Sequence, residues 1–470
     1  MPELCFLTAR ELRAALGRRE VSAREVLAAH LDQIERLNPE INAVITLAAD
    51  QAAAAAVAAD ELAASGADLP VLHGLPVAHK DLHETAGLLT TYGSPLRANY
   101  VPAQDALVIE RMRRAGVITI GKTNVPEFGA GSHTFNPLFG ATRNPYDRSK
   151  SAGGSSGGTA AALACGMHPI GDGSDMGGSL RNPASFNNVV GFRPSPGRVP
   201  GWPALMAWGT MGVSGPMART VADAALLLSV QAGPDSRSPI ALETPGSRFA
   251  EPLESDPRGL RVAFSPDLGG AVPVEPEAGR AVGAAAQVFA DLGAEVTEAS
   301  PDLAGADEVF RTLRAWQFEA MFGALEERSP EAFKATLRNN IAQGRALTGH
   351  DLARAEELHT ALFQRVRQFF TRFDIVLLPV SQVLPFDVDL EYPTEINGVP
   401  MTDYLDWMGS AYLISATGCP AASVPAAFSP GGLPIGVQIV GPHRADFAVL
   451  QAGYAFEQAT QVAARRPPGA

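Results

Sequence analysis

Two serines packed among glycines, Ser155 and Ser179, lie in the stretch KSAGGSSGGTAAALACGMHPIGDGSDMGGSLRNP, which runs from Lys150 to Pro183. A serine between glycines can sit where the backbone approaches a reacting atom closely, with neighbouring N–H groups turned towards a developing negative charge. Such a hydroxyl attacks a carbonyl only if a base accepts its proton. Lys80, in GLPVAHKDL, is a candidate for that base, because an ammonium loses its proton on burial and a guanidinium does not. Of the 37 basic residues only Lys80, Lys122, Lys150 and Lys334 are lysine. Lys122 and Lys150 are assigned to structure, and the lysine retained upstream of the serines stands out.

Other chemistries for the same residues fit less well. No G-x-x-x-x-G-K-[ST] motif is present, and GDGSDM from Gly171 breaks the G-x-G-x-x-G pattern at Met176, which argues against a nucleotide site. The run GGSSG from Gly153 to Gly157 satisfies G-x-S-x-G, the nucleophile elbow of α/β-hydrolases, with Asp374 and His443 in the required order. That elbow needs a preceding strand, and RNPYDRSKSAGG reads as a polar loop. His79 and His83 are four residues apart, but HKDLH lacks the glutamate of H-E-x-x-H, so no metal is expected.

The elements that position these residues follow an α/β rhythm. Thr8 and Ser22 are N-cap candidates for two N-terminal helices, and the alanine-rich run from Ala48 to Ala64 reads as a surface helix. From Val71 onward short apolar runs such as GLPVAHKDL and GVITIGKTN alternate with amphipathic stretches. Residues 105–115 form a helix with Leu107, Val108 and Met112 towards a sheet. GFRPSPGRVPGWP, from Gly191, reads as an irregular connection over one edge of the site. After a strand in GLRVAFSPDLG, helical patterns dominate to Arg372, and strands return in FDIVLLPV, CPAASVPAAF and LPIGVQIVG. The expectation is one α/β domain over residues 1–470, with one continuous mixed sheet flanked by helices on both faces and a helical elaboration at about 240–370.

Composition narrows the function classes. A hydrophobic content of 46% with 19% charged residues is that of a globular protein with an ample core. A net charge of −13 disfavours nucleic-acid binding. No apolar run reads as a signal peptide or membrane span, so the expected location is cytoplasmic. Cys5, Cys165 and Cys419, odd in number and widely spaced, read as reduced thiols.

Taken together, GLPVAHKDL, GKTNVPEFG, SAGGSSGGTAAALA, GSDMGGSLRNPA, VGFRPSPGRV, GPMARTVADAALLL, CPAASVP and GLPIGVQIVG resemble the amidase signature family over nearly the whole chain. The intervals of 75 residues from Lys80 to Ser155 and 24 from Ser155 to Ser179 fit it as well. The resemblance implies the amidase signature fold and hydrolysis of a linear or cyclic amide without metal or organic cofactor. It makes Ser179 the nucleophile, Ser155 a relay preceded by a cis peptide bond, and Lys80 the base. Backbone N–H groups of Met176, Gly177, Gly178 and Ser179 would form the oxyanion hole, with Asp175 bracing their loop. Ser156 is a supporting hydroxyl, and Lys122, Thr123 and Asn124 hold a strand end.

Arg181 either pairs with a buried acid or reaches substrate. Phe135, Trp316 and Trp407 are the substrate-binding candidates, with Phe318 and Tyr412 in segments that also border the site, and core packing is the default for each aromatic. The expected partner is an uncharged, partly apolar small-molecule amide, and a homodimer is compatible. A rival from another class is the amidase subunit of a tRNA-dependent amidotransferase, whose tyrosine-rich signature is replaced here by GRALTGHDLARAEELHTALFQRV. An inactive binding relative is the other, against which all three catalytic positions stand intact.

Overall fold

The computed structural model describes residues 2–470. Thr8 and Ser22 each close a capping box, with Glu11 and Glu25 respectively, and start the helices Ala9–Gly17 and Ala23–Ile41. Each box satisfies two backbone donors that a helix start leaves open. The longer helix buries Val26, His30, Ile34, Leu37 and Ile41, a stripe at three- and four-residue intervals. The alanine-rich helix Ala49–Ser65 buries only Ala52 and Ala56 and rides on the surface.

Eight strands form the central mixed sheet. From one edge they run Glu295–Glu298, Arg261–Phe264, Ile375–Pro379, Pro434–Val440, Ala421–Phe428, Val190–Arg193, Val213–Ala218 and Ile170–Asp175. The first three are mutually parallel, and every later neighbour is antiparallel. Alternation along Ile375–Pro379 explains the layers. Ile375 and Leu377 join a core that includes Val282, Phe289, Val449 and Phe456 on one face, whereas Val376 and Leu378 join Phe310, Leu313, Leu362 and Tyr412 on the other. Helices therefore cover both faces, as expected.

Two expectations need correction. The sheet is not continuous: Pro76–Lys80 belongs to a separate three-stranded sheet, parallel to Ile118–Thr123, which also pairs antiparallel with Val44–Leu47. Lys80 thus ends a strand of the small sheet and meets the edge strand Ile170–Asp175 of the large one. The segment starting at Gly191 also begins as strand Val190–Arg193 before it becomes irregular, because its first residues pair with Ala421–Phe428 and Val213–Ala218. Within 240–370 lie the helices Pro276–Asp291, Ala306–Arg328, Ala335–Ala346 and Gly349–Phe369, together with the two strands that form one edge of the large sheet.

The short helix Gly157–Ala164 is buried on every side, which its glycine, alanine and threonine content permits. A Cβ at Gly158 would stand 2.3 Å from the Asn124 backbone nitrogen. Only glycine allows this helix to lie against the end of the small sheet. All three cysteines are unpaired and buried, and burial pushes the Cys165 thiol up to about 12.

Candidate active site

Lys80 is fully buried where the two sheets meet. Its Nζ lies 2.8 Å from Ser155 Oγ, 2.8 Å from Ser156 Oγ, 3.0 Å from Ser174 Oγ and 3.3 Å from the Ser174 carbonyl oxygen. Burial lowers its pKa to about 7, against the opposing pull of Asp175 and Asp172. A neutral amine donates two hydrogens and accepts one, so within this ring of oxygens it can take a hydroxyl proton. Ser156 is therefore a direct partner of the lysine. Ser174, which sequence reasoning passed over inside GSDMGGS, is another.

A clasp from the large sheet sets the position of the lysine. Asp172 accepts from the Lys80 backbone N–H at 3.1 Å and pairs with His79 Nδ1 and His83 Nδ1, each at 2.6 Å. The outer ring nitrogens meet Thr119 Oγ1 and Ser214 Oγ. Burial opposes ionisation of Asp172, but the two imidazoles hold its pKa well below the usual carboxylate range. Burial also lowers the pKa of His83 despite Asp172. Four-residue spacing thus places both histidines on one carboxylate. Lys122 packs behind them, donating to the His83 carbonyl and Thr85 Oγ1, and burial lowers its pKa to about 8.

Ser155 is 2% exposed and precedes the Gly157–Ala164 helix, and the Gly154–Ser155 peptide bond is cis. Ser179 stands between the strand Ile170–Asp175 and the helix Arg181–Phe186. Both serines line one cavity of about 560 Å³. Among the described residues no protein group hydrogen-bonds the Ser179 hydroxyl, whereas that of Ser155 is held by the lysine.

Asp175 braces the serine loop as expected, accepting from Gly178 N at 2.8 Å and Leu180 N at 3.1 Å. One part of the expected oxyanion hole is corrected by this geometry. Of the four expected N–H groups that of Gly178 is already bonded, and no acceptor among the described residues meets those of Met176, Gly177 and Ser179. Gly178 has φ +116°, a conformation that side chains rarely adopt, and its glycine lets the loop turn.

Arg181 resolves into one of its two alternatives. It is fully buried, donates to both carboxylate oxygens of Asp175 at 3.0 Å, and reaches the Ala411 carbonyl and Ser415 Oγ. Its donors are taken up inside the fold, which removes it from the substrate-binding set. Arg193 joins from the other side at 3.1 Å. Burial opposes ionisation of Asp175, but the two guanidiniums hold its carboxyl far below the usual range.

The other substrate-binding candidates also lie away from the cavity. Trp407 is 1% exposed and packs on Phe186 and Phe386. Trp316 is 39% exposed on the outer face of Ala306–Arg328. Phe135 sits in a small hairpin against His133 and the Lys334 ammonium. Tyr412 stacks on Phe310 in the core. Of the five aromatics, Phe318 lines the cavity, beside Phe128, Phe322 and Leu82, with Tyr92 and Met206 at other points of the wall. Arg314 also lines it, one helical turn before Phe318. The four-residue spacing of Arg314 and Phe318 was the available signal for that wall.

The elbow alternative is overturned. No strand leads directly into Ser155. Asp374 pairs with Arg261 at 2.6 Å, and His443 packs edge-on against Phe363 at a separate depression. Neither residue lines the cavity that holds the serines.

Known proteins resemble this chain over nearly its whole length. Residues 25–450 match the protein-family model described as Amidase. The chain is 33% identical over 467 residues to an acylamidase of Rhodococcus erythropolis, covering 99% of this chain and 98% of that one. It is 36% identical over 476 residues to a glutamyl-tRNA(Gln) amidotransferase subunit of Synechococcus sp. (strain CC9605), covering 96% of each. A solved bacterial aryl acylamidase of the amidase signature enzymes superposes with a TM-score of 0.92 at 31% identity, over 99% of each chain.

Proposed function

Because this chain belongs to the amidase signature family and is an amide hydrolase, we propose that it cleaves its amide through a Ser179 acyl-enzyme, with Ser155 as relay and Lys80 as base. Neutral Lys80 takes the Ser155 proton while Ser155 takes that of Ser179, and Ser179 Oγ attacks the carbonyl carbon. Charge then develops on the carbonyl oxygen, opposite the open N–H groups of Met176, Gly177 and Ser179. As the intermediate collapses, the C–N bond breaks and the proton on Lys80 passes back through Ser155 to the leaving amine. Water, activated along the same path, then attacks the ester and releases the acid.

The observation that supports this most is the buried Lys80 amine, 2.8 Å from Ser155 Oγ, with its pKa lowered to about 7. Incubation with an aryl amide, followed by acid quench and peptide mass spectrometry, tests it. The acyl group is expected on the peptide that holds Ser179, and Ser179→Ala is expected to lose about 10³-fold or more in kcat/KM. Acylation of Ser155, or full turnover by Ser179→Ala, would overturn the assignment.

A second reading, the ammonia-releasing subunit of an amidotransferase, is favoured by the 36% identity with the Synechococcus protein. Turnover of an aryl amide by the isolated chain speaks for hydrolysis. Ammonia release from glutamine that requires a co-purifying subunit speaks for the alternative.

A further inference from the structure

Four arginines among the described residues are buried: Arg181, Arg193, Arg198 and Arg314. The first two bridge to Asp175 and the third to Asp446. Arg314 has no carboxylate partner, although it is 4% exposed, and it is the one of the four that lines the catalytic cavity. Its contacts are neutral. Nη2 donates to the Tyr404 hydroxyl at 2.7 Å, Nη1 reaches only the Met176 thioether at 3.2 Å, and Nε has no partner at all. The guanidinium carbon stands 4.0 Å from the Phe318 ring centroid.

A buried guanidinium keeps its charge, and burial without a countercharge is costly. Stacking on Phe318 offsets part of that cost, but a thioether is a weak acceptor. Met176 belongs to the loop that leads to Ser179, so a group bound at Nη1 lies beside the reacting centre. The cavity therefore joins an apolar wall to one buried guanidinium without a countercharge, whereas Arg97, which also lines it, is exposed to solvent.

We infer that Arg314 is a specificity-determining residue that selects amides carrying a carboxylate a few atoms from the scissile bond. The substrate carboxylate replaces the thioether at Nη1 and supplies the missing negative charge. This rests on the amidase assignment of the same site and replaces the uncharged amide that the aromatic residues suggested.

The test uses two matched pairs. Glutaric acid mono-4-nitroanilide against pentanoic acid 4-nitroanilide places the carboxylate on the acyl side. 4-Acetamidobenzoate against 4-methylacetanilide places it on the amine side. The intact protein is expected to favour the carboxylate in one pair by about 10-fold or more in kcat/KM, through a lower KM, and Arg314→Gln is expected to bring that ratio to about one. Glutarate is also expected to bind Ser179→Ala protein more tightly than pentanoate in calorimetry if the acyl side carries the carboxylate, and 4-aminobenzoate more tightly than 4-methylaniline if the amine side does. This readout needs no Arg314 variant to fold.

Equal or reversed preference in both pairs, or a preference that survives Arg314→Gln, overturns the inference. Failure of the amidase assignment looks different: none of the four compounds is cleaved. The ligand pairs then still decide the binding claim, and equal binding within both pairs rejects it.

Discussion

The Ser156 backbone N–H donates to the Ser179 carbonyl oxygen at 3.2 Å, tying the turn that carries Ser155 to the turn that carries Ser179. This link involves no side chain of Ser155 or Ser179. Substitution of either hydroxyl therefore leaves the two turns in register, and kinetic effects of such variants report chemistry.

In the proposed mechanism Lys80 must be neutral, and that requirement sets the pH profile of kcat/KM. Activity is expected to rise with pH through a midpoint of about 7 and to stay high above it. Lys80→Arg keeps the charge but cannot lose its proton in this range, and is expected to fall by about 10³-fold or more at every pH. Initial rates from acid to mildly alkaline buffers would show this, and a flat profile would count against Lys80 as the base.

Stability carries the same signature. Between the folded value of about 7 and the ordinary lysine value, the unfolded chain binds a proton that the folded chain does not, so stability from this group rises with pH. Against Lys80→Met, which cannot titrate, the wild-type protein is expected to gain about 1.4 kcal/mol per pH unit across roughly pH 8 to 10. Urea unfolding of both proteins at several pH values measures the difference. A constant difference would mean that the folded lysine titrates normally.

Asp172→Asn separates positioning from charge. The negative charge of Asp172 raises the Lys80 pKa, so its removal is expected to move the activity midpoint to lower pH. It also takes the carboxylate from His79, His83 and the Lys80 N–H, which is expected to cost about 3 kcal/mol or more in stability. A variant that loses stability with an unmoved midpoint would limit Asp172 to a structural role.

Gly158→Ala tests how closely the helix Gly157–Ala164 must approach the small sheet. The added carbon would stand 2.3 Å from the Asn124 nitrogen and 2.6 Å from its carbonyl oxygen, both backbone atoms. The expected loss is about 2 kcal/mol or more in urea unfolding. Activity is expected to fall as well, because the helix start that follows Ser155 and Ser156 must shift. Unchanged stability would mean that the strand end yields.

What was legible in the sequence was chemistry held in local context. Lys80 stood out because so few lysines occur, and the serines because glycines surround them. The helix caps at Thr8 and Ser22 were legible for the same reason, since each box closes within four residues. Contacts that cross the fold were not. Trp316 and Phe318 are two residues apart on one helix, roughly 200° around its axis, so the cavity receives Phe318 and solvent receives Trp316. Arg181 could face an acid or a substrate until the loop brought Asp175 against it. The expectation of one continuous sheet failed because strand patterns do not reveal which strands pair, and Pro76–Lys80 pairs with Ile118–Thr123.

With Lys80 as the proposed base, the seam between the two sheets also governs when the enzyme can first act. Lys80 is synthesised long before the strand Ile170–Asp175, whose Asp172 and Ser174 are among the groups that enclose it in the folded chain. A nascent chain that has reached Ser155 but not Asp172 lacks the carboxylate that pairs with His79 and His83. Hydrolytic competence is thus withheld from incomplete chains and arrives with the joining of the two sheets.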